Sequence, residues 1–214
     1  MNSLNAFTPF YNCDYTVALI DSDEALNNYI ASKLRAFGCT VLQAFSSDEI
    51  SDVFSRHLDF ILIDPVYESC NESKLNEYLK SPDSAGVIIY TSDNSPQRRE
   101  YLFESGVLEY LFKHEPLEDI AEELIRLFEA IRNNANYHIT MIGSNNFTQQ
   151  KFNQLVSHRG YRLCFLESCS ALMEKWDDHS HELPDLLVLD FTNPQYIDQA
   201  FAMIRFIRIT KLSE

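Results

Sequence analysis

Short apolar runs of strand length alternate with amphipathic stretches along the whole chain. Thr16–Ile20 reads TVALI, a β-branched and apolar run. Residues 23–37 follow with apolar positions at Leu26, Ile30, Leu34 and Phe37, the spacing of one helix face. Gly38 stops that pattern, as a residue tolerant of left-handed backbone does past a helix end. The pattern then predicts a strand over Thr40–Ala44 and a helix over 46–57, with Ser46 or Ser47 as N-cap and acids at Asp48 and Glu49 in its first turn. Phe60–Ile63 is continuously apolar, which suits a central parallel strand buried on both faces. A short helix over 75–79, a strand over 86–90, a helix over 97–104 closed by Gly106 and a strand over 108–112 come next. A long helix over 116–132 completes the series, with Pro116 tolerated in its first turn.

Five strand–helix units in about 120 residues predict an α/β fold with a doubly wound parallel sheet. Residues 133–136 form a polar break, so 1–15 is expected to be a tail and 16–133 the first domain. The pattern then restarts over 137–214. Strands are expected at His138–Ile142, 161–166 and Leu186–Leu189, with helices over 147–158 (ended by Gly160), 170–176 and 195–208. The second half thus repeats the first three units of the first half and lacks the last two, and an internal repeat outweighs any single motif.

Composition narrows the classes. With 45% apolar and 13% aromatic residues the chain can bury a core, which excludes a disordered tail. The net charge of −15 is unevenly shared: residues 1–134 carry 23 acids and 10 bases, whereas 135–214 carry 9 and 7. No basic stripe exists, so no nucleic-acid partner is expected. The apolar runs are too short to cross a bilayer, and residues 1–15 lack the basic and apolar regions of a signal peptide. A cytoplasmic protein without membrane contact is expected. Five cysteines without regular spacing agree with reduced thiols, and no paired Cys motif suggests zinc. Five glycines are too few for a nucleophile elbow, a phosphate loop or a dinucleotide fingerprint.

Candidate chemistry lies just past the strand ends, where open α/β sheets collect functional groups. Asp21, Ser22 and Asp23 follow the first strand, Asp64 the third, Thr91 and Ser92 the fourth, and Lys113 the fifth. Taken singly, each has a plainer reading. Asp21 or Asp23 would cap a helix, Lys113 would be a solvated lysine, and Thr91 a strand-end hydroxyl. Taken together, four strand ends would have to coincide by accident.

The stretches VALIDSDE, DFILIDPV, VIIYTS and EYLFKHEP resemble, in order and spacing, the four signature blocks of the receiver domains of two-component response regulators (CheY-like). The resemblance covers residues 15–133 and, in truncated form, 137–208. It implies a flavodoxin-like sheet of strand order 2-1-3-4-5. It further implies that Asp64 accepts a phosphoryl group from a sensor histidine kinase or phosphotransfer protein, as a carboxylate nucleophile. Mg2+ would be held by Asp21, Asp64 and the backbone carbonyl of Val66, with Asp23 positioned to reach in or to hold a water. Lys113 would pair with Asp64 or its phosphate, Thr91 would bond a phosphate oxygen, and Tyr110 takes the aromatic switch position. Two positions depart from the family: Ser22 stands where a second acid is usual, and His114 where a proline is usual.

In the second half Gly143, Ser144 and Asn145 replace the acids, while Asp190 keeps the acceptor position. A carboxylate without a cation pocket is a poor acceptor, so Asp190 is expected to be a remnant in a degenerate adaptor. The run Asp177, Asp178, His179, Ser180, His181 reads as a solvated loop rather than a metal site. Three strands leave an open edge, which predicts completion by a second copy as a homodimer. The alternative is a longer protein whose output domain follows Glu214, such as a cyclic-dinucleotide enzyme. The expected function is therefore a phosphorylation-controlled signalling module rather than an enzyme. A non-phosphorylated interaction scaffold is the competing reading.

Overall fold

The computed structural model describes residues 13–65, 72–81, 83–113, 116–143, 145–177, 183–190 and 197–211. The chain divides into two compact units, Met1–Phe128 and Glu129–Glu214. In the first, strands and helices alternate as β1 (Thr16–Ile20), α1 (Glu24–Ala36), β2 (Thr40–Ala44), α2 (Ser47–Phe54), β3 (Phe60–Ile63), α3 (Glu72–Leu79), β4 (Gly86–Thr91), α4 (Pro96–Glu104), β5 (Glu109–Phe112) and α5 (Leu117–Asn134). The division between the units falls within α5. All five strands are parallel in the order β2-β1-β3-β4-β5, so the connections reverse direction between β1 and β3.

Local chemistry explains the element ends. Asp23 caps α1, its carboxylate accepting from the Leu26 amide. Ser46 and Glu49 form a reciprocal capping box on α2, and Ser95 caps α4 ahead of Pro96. β3 is buried at every position, as its unbroken apolar run predicts. Alternation along the strands separates two apolar layers. Ile20, Ile61, Ile63, Val87 and Ile89 share a cluster with Ile50, Val53, Leu75 and Leu102 from α2, α3 and α4. On the opposite face Phe60 stacks on Phe128 of α5 at 4.7 Å, with Tyr15 edge-on to both. Gly86 is required where β4 begins against β3, because a Cβ there would lie 2.9 Å from the Phe60 ring.

The second unit contains β6 (His138–Ile142), α6 (Asn146–Ser157), β7 (Arg162–Leu166), α7 (Cys169–Asp177), β8 (Leu186–Leu189) and α8 (Ile197–Lys211), with parallel strands ordered β7-β6-β8. This reproduces the β2-β1-β3 part of the first sheet. Even its polar fastenings recur. Asp59 accepts from the Thr16 amide at 2.7 Å, and Asp185 accepts from the His138 amide at 2.7 Å. Asn145 caps α6 as Asp23 caps α1. Gly38 and Gly160 both follow a helix with positive φ. Ile142, Cys169, Leu172 and Met203 form the core of this unit. Among the described residues no helix is long and apolar enough to cross a membrane.

Candidate functional site

Asp21 and Asp64 leave the ends of β1 and β3, which are neighbours with Ile20 opposite Ile63. The Asp64 amide donates to the Ile20 carbonyl at 3.1 Å, holding the two acids side by side at the point where the strand order reverses. Lys113 leaves β5, and its amide donates to the Thr91 carbonyl at 3.0 Å, which aims its side chain back over β4. The Lys113 ammonium lies 2.6 Å from Asp21 Oδ2 and also bonds Asp64 Oδ2. One cation therefore bridges two carboxylates, all three side chains being at most 16% exposed. Burial alone would lower the lysine pKa. The hydrogen bonds and negative charges of Asp21 and Asp64 outweigh that and hold it above its usual value.

The neighbouring predicted residues have definite places. Asp23 Oδ1 accepts from the Leu26 amide at 3.0 Å, and the Asp23 amide donates to Asp21 Oδ1 at 2.9 Å. Asp23 thus caps α1 with its side chain and orients Asp21 with its backbone, while Ser22 between them is exposed. Thr91 is wholly buried as the last residue of β4, its hydroxyl accepting from the Asp93 amide at 3.3 Å. Tyr110 is buried in β5 and donates its hydroxyl proton to the Asp93 carbonyl at 2.6 Å. Val66, His114, Ser144 and residues 178–181 lie outside the described residues.

Two residues escaped the sequence reading. Asp93 joins Thr91 and Tyr110 through its backbone, accepts from the Ser95 amide at 2.9 Å, and pairs with Arg98 at 3.6 Å. Tyr90, next to Thr91 on β4, is 2% exposed and points to the opposite face. The Lys113 ammonium sits 5.3 Å from its ring centroid. Its hydroxyl is buried without a hydrogen-bond partner among the described residues. Burial, reinforced by the charges of Asp21, Asp23 and Asp64, pushes its phenol above the usual range. The alternation of a strand end next to a hydroxyl-bearing residue was the available signal.

Asp21 and Asp64 already converge on one cation, the lysine's own, and they offer only oxygen, which suits a hard divalent ion such as Mg2+. Among the described residues no further His, Cys or carboxylate completes a three-ligand cluster. A cation held here would take its other ligands from water and backbone, as Mg2+ commonly does. In the second unit Asp190 follows β8, and its amide donates to the Ile142 carbonyl at 3.1 Å, matching Asp64. Gly143, at φ 84°, stands where Asp21 stands in the first unit.

No protein-family model and no curated protein matches the chain. Solved structures do. One described as a two-component system response regulator/GGDEF domain protein superposes with a TM-score of 0.60 at 13% identity, over 91% of this chain and 77% of its own. A response regulator from Thermotoga maritima has a TM-score of 0.45 at 17% identity, over 54% of this chain and 98% of its own. A receiver protein from Burkholderia phymatum gives 0.45 at 22%, over 54% and 96%. The chain thus has the flavodoxin-like fold of response-regulator receiver domains, once complete in the order 2-1-3-4-5 and followed by a second, partial α/β unit.

Proposed function

We propose that the chain is a phosphorylation-controlled signalling module of a two-component system, with Asp64 as phospho-acceptor. The observation that carries this reading is the bridging of Asp21 and Asp64 by Lys113 at the switch point of the sheet. A fold alone does not fix a function, but a largely buried carboxylate beside a lysine ammonium does restrict the chemistry. An Asp64 oxygen attacks phosphorus, an O–P bond forms, and the N–P bond to the donor histidine breaks with its electrons returning to the imidazole. Mg2+, when bound by Asp21 and Asp64, would screen the acidic pocket from the incoming anion. Lys113 then leaves Asp21 to neutralise the new phosphoryl charge, and Thr91 turns its hydroxyl from the Asp93 amide toward a phosphate oxygen. Because Asp93 also holds the Tyr110 hydroxyl and the cap of α4, releasing that tie reshapes the β5 side of the domain.

The partners on this reading are a sensor histidine kinase or phosphotransfer protein and a downstream output, and the chain itself is regulatory rather than catalytic. The second unit, with Gly143 in place of an acid, serves as an adaptor that pairs with a second copy. With Mg2+ and acetyl phosphate the wild type should gain one phosphoryl group with release of acetate, seen by intact mass, and with Mg2+ and beryllofluoride, a phosphoryl mimic, it should show a change in tyrosine absorption. Asp64→Asn should abolish the response and Asp190→Asn should leave it intact. Full labelling of Asp64→Asn would remove Asp64 from the role. The second reading, a non-phosphorylated scaffold, draws on Ser22 in place of an acid and on Lys113 already filling the cation position. Absence of any Mg2+ affinity in the wild type would favour it.

A further inference from the structure

Cys13 and Cys39 meet just ahead of the first two strands. The Cys39 Sγ donates to the Cys13 Sγ at 3.5 Å, across a sequence separation of 26 residues. Both are free thiols, and both are buried, at 3% and 5% exposure. The backbone is fixed on either side of the contact. The Cys39 amide donates to the Leu34 carbonyl at 3.0 Å, and the Thr40 amide donates to the Tyr15 carbonyl at 2.9 Å. A buried cysteine commonly serves as a small apolar side chain, and one alone would carry no more than that. Here two thiols face each other, whereas Cys164 directs its thiol to the Phe165 carbonyl at 3.9 Å. The two sulfurs need to approach by about 1.5 Å to reach a bond length of about 2.0 Å, which a small side-chain rotation supplies.

We propose that Cys13 and Cys39 are a reversible disulfide site that, when oxidised, ties the segment ahead of β1 to the start of β2. β2 is an edge strand of the five-stranded sheet, so the bond fastens that edge to its neighbour. The co-reactant is a small-molecule disulfide of the glutathione type. The thiolate of one cysteine attacks it, forming a mixed disulfide and expelling one glutathione thiolate. The thiolate of the second cysteine then attacks the sulfur of the first, the mixed disulfide breaks, and the other glutathione thiolate leaves. Both protons of the cysteine thiols pass to the released glutathione, and two electrons pass from the pair to the reagent. Burial above all, then Cys13 itself and the charge of Asp59, push the Cys39 thiol well above its usual range. Thiolate is therefore scarce, and the reaction is slow and follows local opening of the chain. Asp21 follows the opposite end of β1, so this site stands apart from the acids and does not rest on the phospho-acceptor reading.

The test incubates the full chain with oxidised glutathione, alkylates the remaining thiols and maps the cysteines by mass spectrometry without reduction. The expected product is about 2 Da lighter before alkylation, with Cys13 and Cys39 in one cross-linked peptide and Cys164 and Cys169 alkylated. Its unfolding temperature should exceed that of the reduced chain by roughly 5 °C, because the bond closes a loop in the unfolded state. Dithiothreitol should reverse both changes, and Cys13→Ser should show neither. Mixed disulfides with glutathione alone, a cross-link to any other cysteine, or no oxidation at all would overturn the proposal. So would a thermal shift that persists in Cys13→Ser. A cross-linked chain that unfolds no higher than the reduced one also overturns it, since the bond would then form only by distorting the fold.

Discussion

Two carboxylates as near as those of Asp21 and Asp64 repel when both are ionised, and in this structure one ammonium cancels that repulsion from a largely buried position. Removing the ammonium while leaving both acids should cost about 3 kcal/mol, the usual scale for breaking such a pair. Lys113→Met is therefore expected to unfold at lower urea concentration at neutral pH, and Mg2+ should restore part of the loss. The pH dependence follows from the raised lysine pKa. The lysine's contribution is fully present below its unfolded value of about 10.5 and is lost as pH rises through the higher folded value. From neutral pH to about pH 10 the gap between wild type and variant should stay constant, and it should close above that. A gap that already narrows as pH rises from about 7 to about 9 would contradict the assignment. At this scale the sequence exposed Asp21, Asp64, Thr91 and Lys113 because strand ends are easy to locate from apolar runs. It hid Asp93, whose main contribution is a backbone carbonyl and amide that any residue carries. It also hid Tyr90, which in an apolar run looks like ordinary core.

Strands proved easier to delimit than helices. β1, β2, β3, β6 and β8 begin and end where their apolar runs do. α3 begins at Glu72, earlier than the expected 75, because Glu72, Ser73 and Lys74 offer no apolar period to mark the first turn. β4 reaches Thr91, one residue beyond its purely apolar stretch. Helix ends also separate two kinds of glycine. Gly106 has φ +104° and open space where a Cβ would project, whereas a Cβ on Gly160, at φ +83°, would lie 2.0 Å from the Ile131 carbonyl oxygen. Gly106→Ala should cost only about 1–2 kcal/mol of left-handed backbone strain. Gly160→Ala adds a backbone collision and should cost clearly more. Calorimetric thermal unfolding of the full chain, which registers both units, compares the two variants. Equal effects of the two substitutions would show that the turn at Gly160 relaxes freely.

For the molecule as a whole, the two units differ most in what lies beside their third strand. β3 is buried throughout and pairs with β4 as well as β1. β8 pairs with β6 on one side, no strand among the described residues pairs its other side, and Leu186 is 53% exposed. Phe201 and Ile204 of α8 are exposed as well. An apolar strand edge of this kind tends to recruit another chain, and a second copy offers a matching edge. Light scattering across a concentration series should show twice the chain mass at the upper end. A strict monomer at every concentration would sink the homodimer. The repeat was legible from apolar periodicity alone, but the difference between the two strand ends was legible only from the residues after His138–Ile142, where glycine stands in place of an acid.

The paired fastenings, Asp59 on Thr16 and Asp185 on His138, hold the first and third strands of each unit in register from the end of the sheet away from the acids. They persist in the half that has discarded its charged pocket. Framework and chemistry are therefore separable modules in this chain, anchored at opposite ends of the same strands. The residues past the acid-bearing strand ends can therefore differ between the two units while the opposite ends of the same strands keep one fastening.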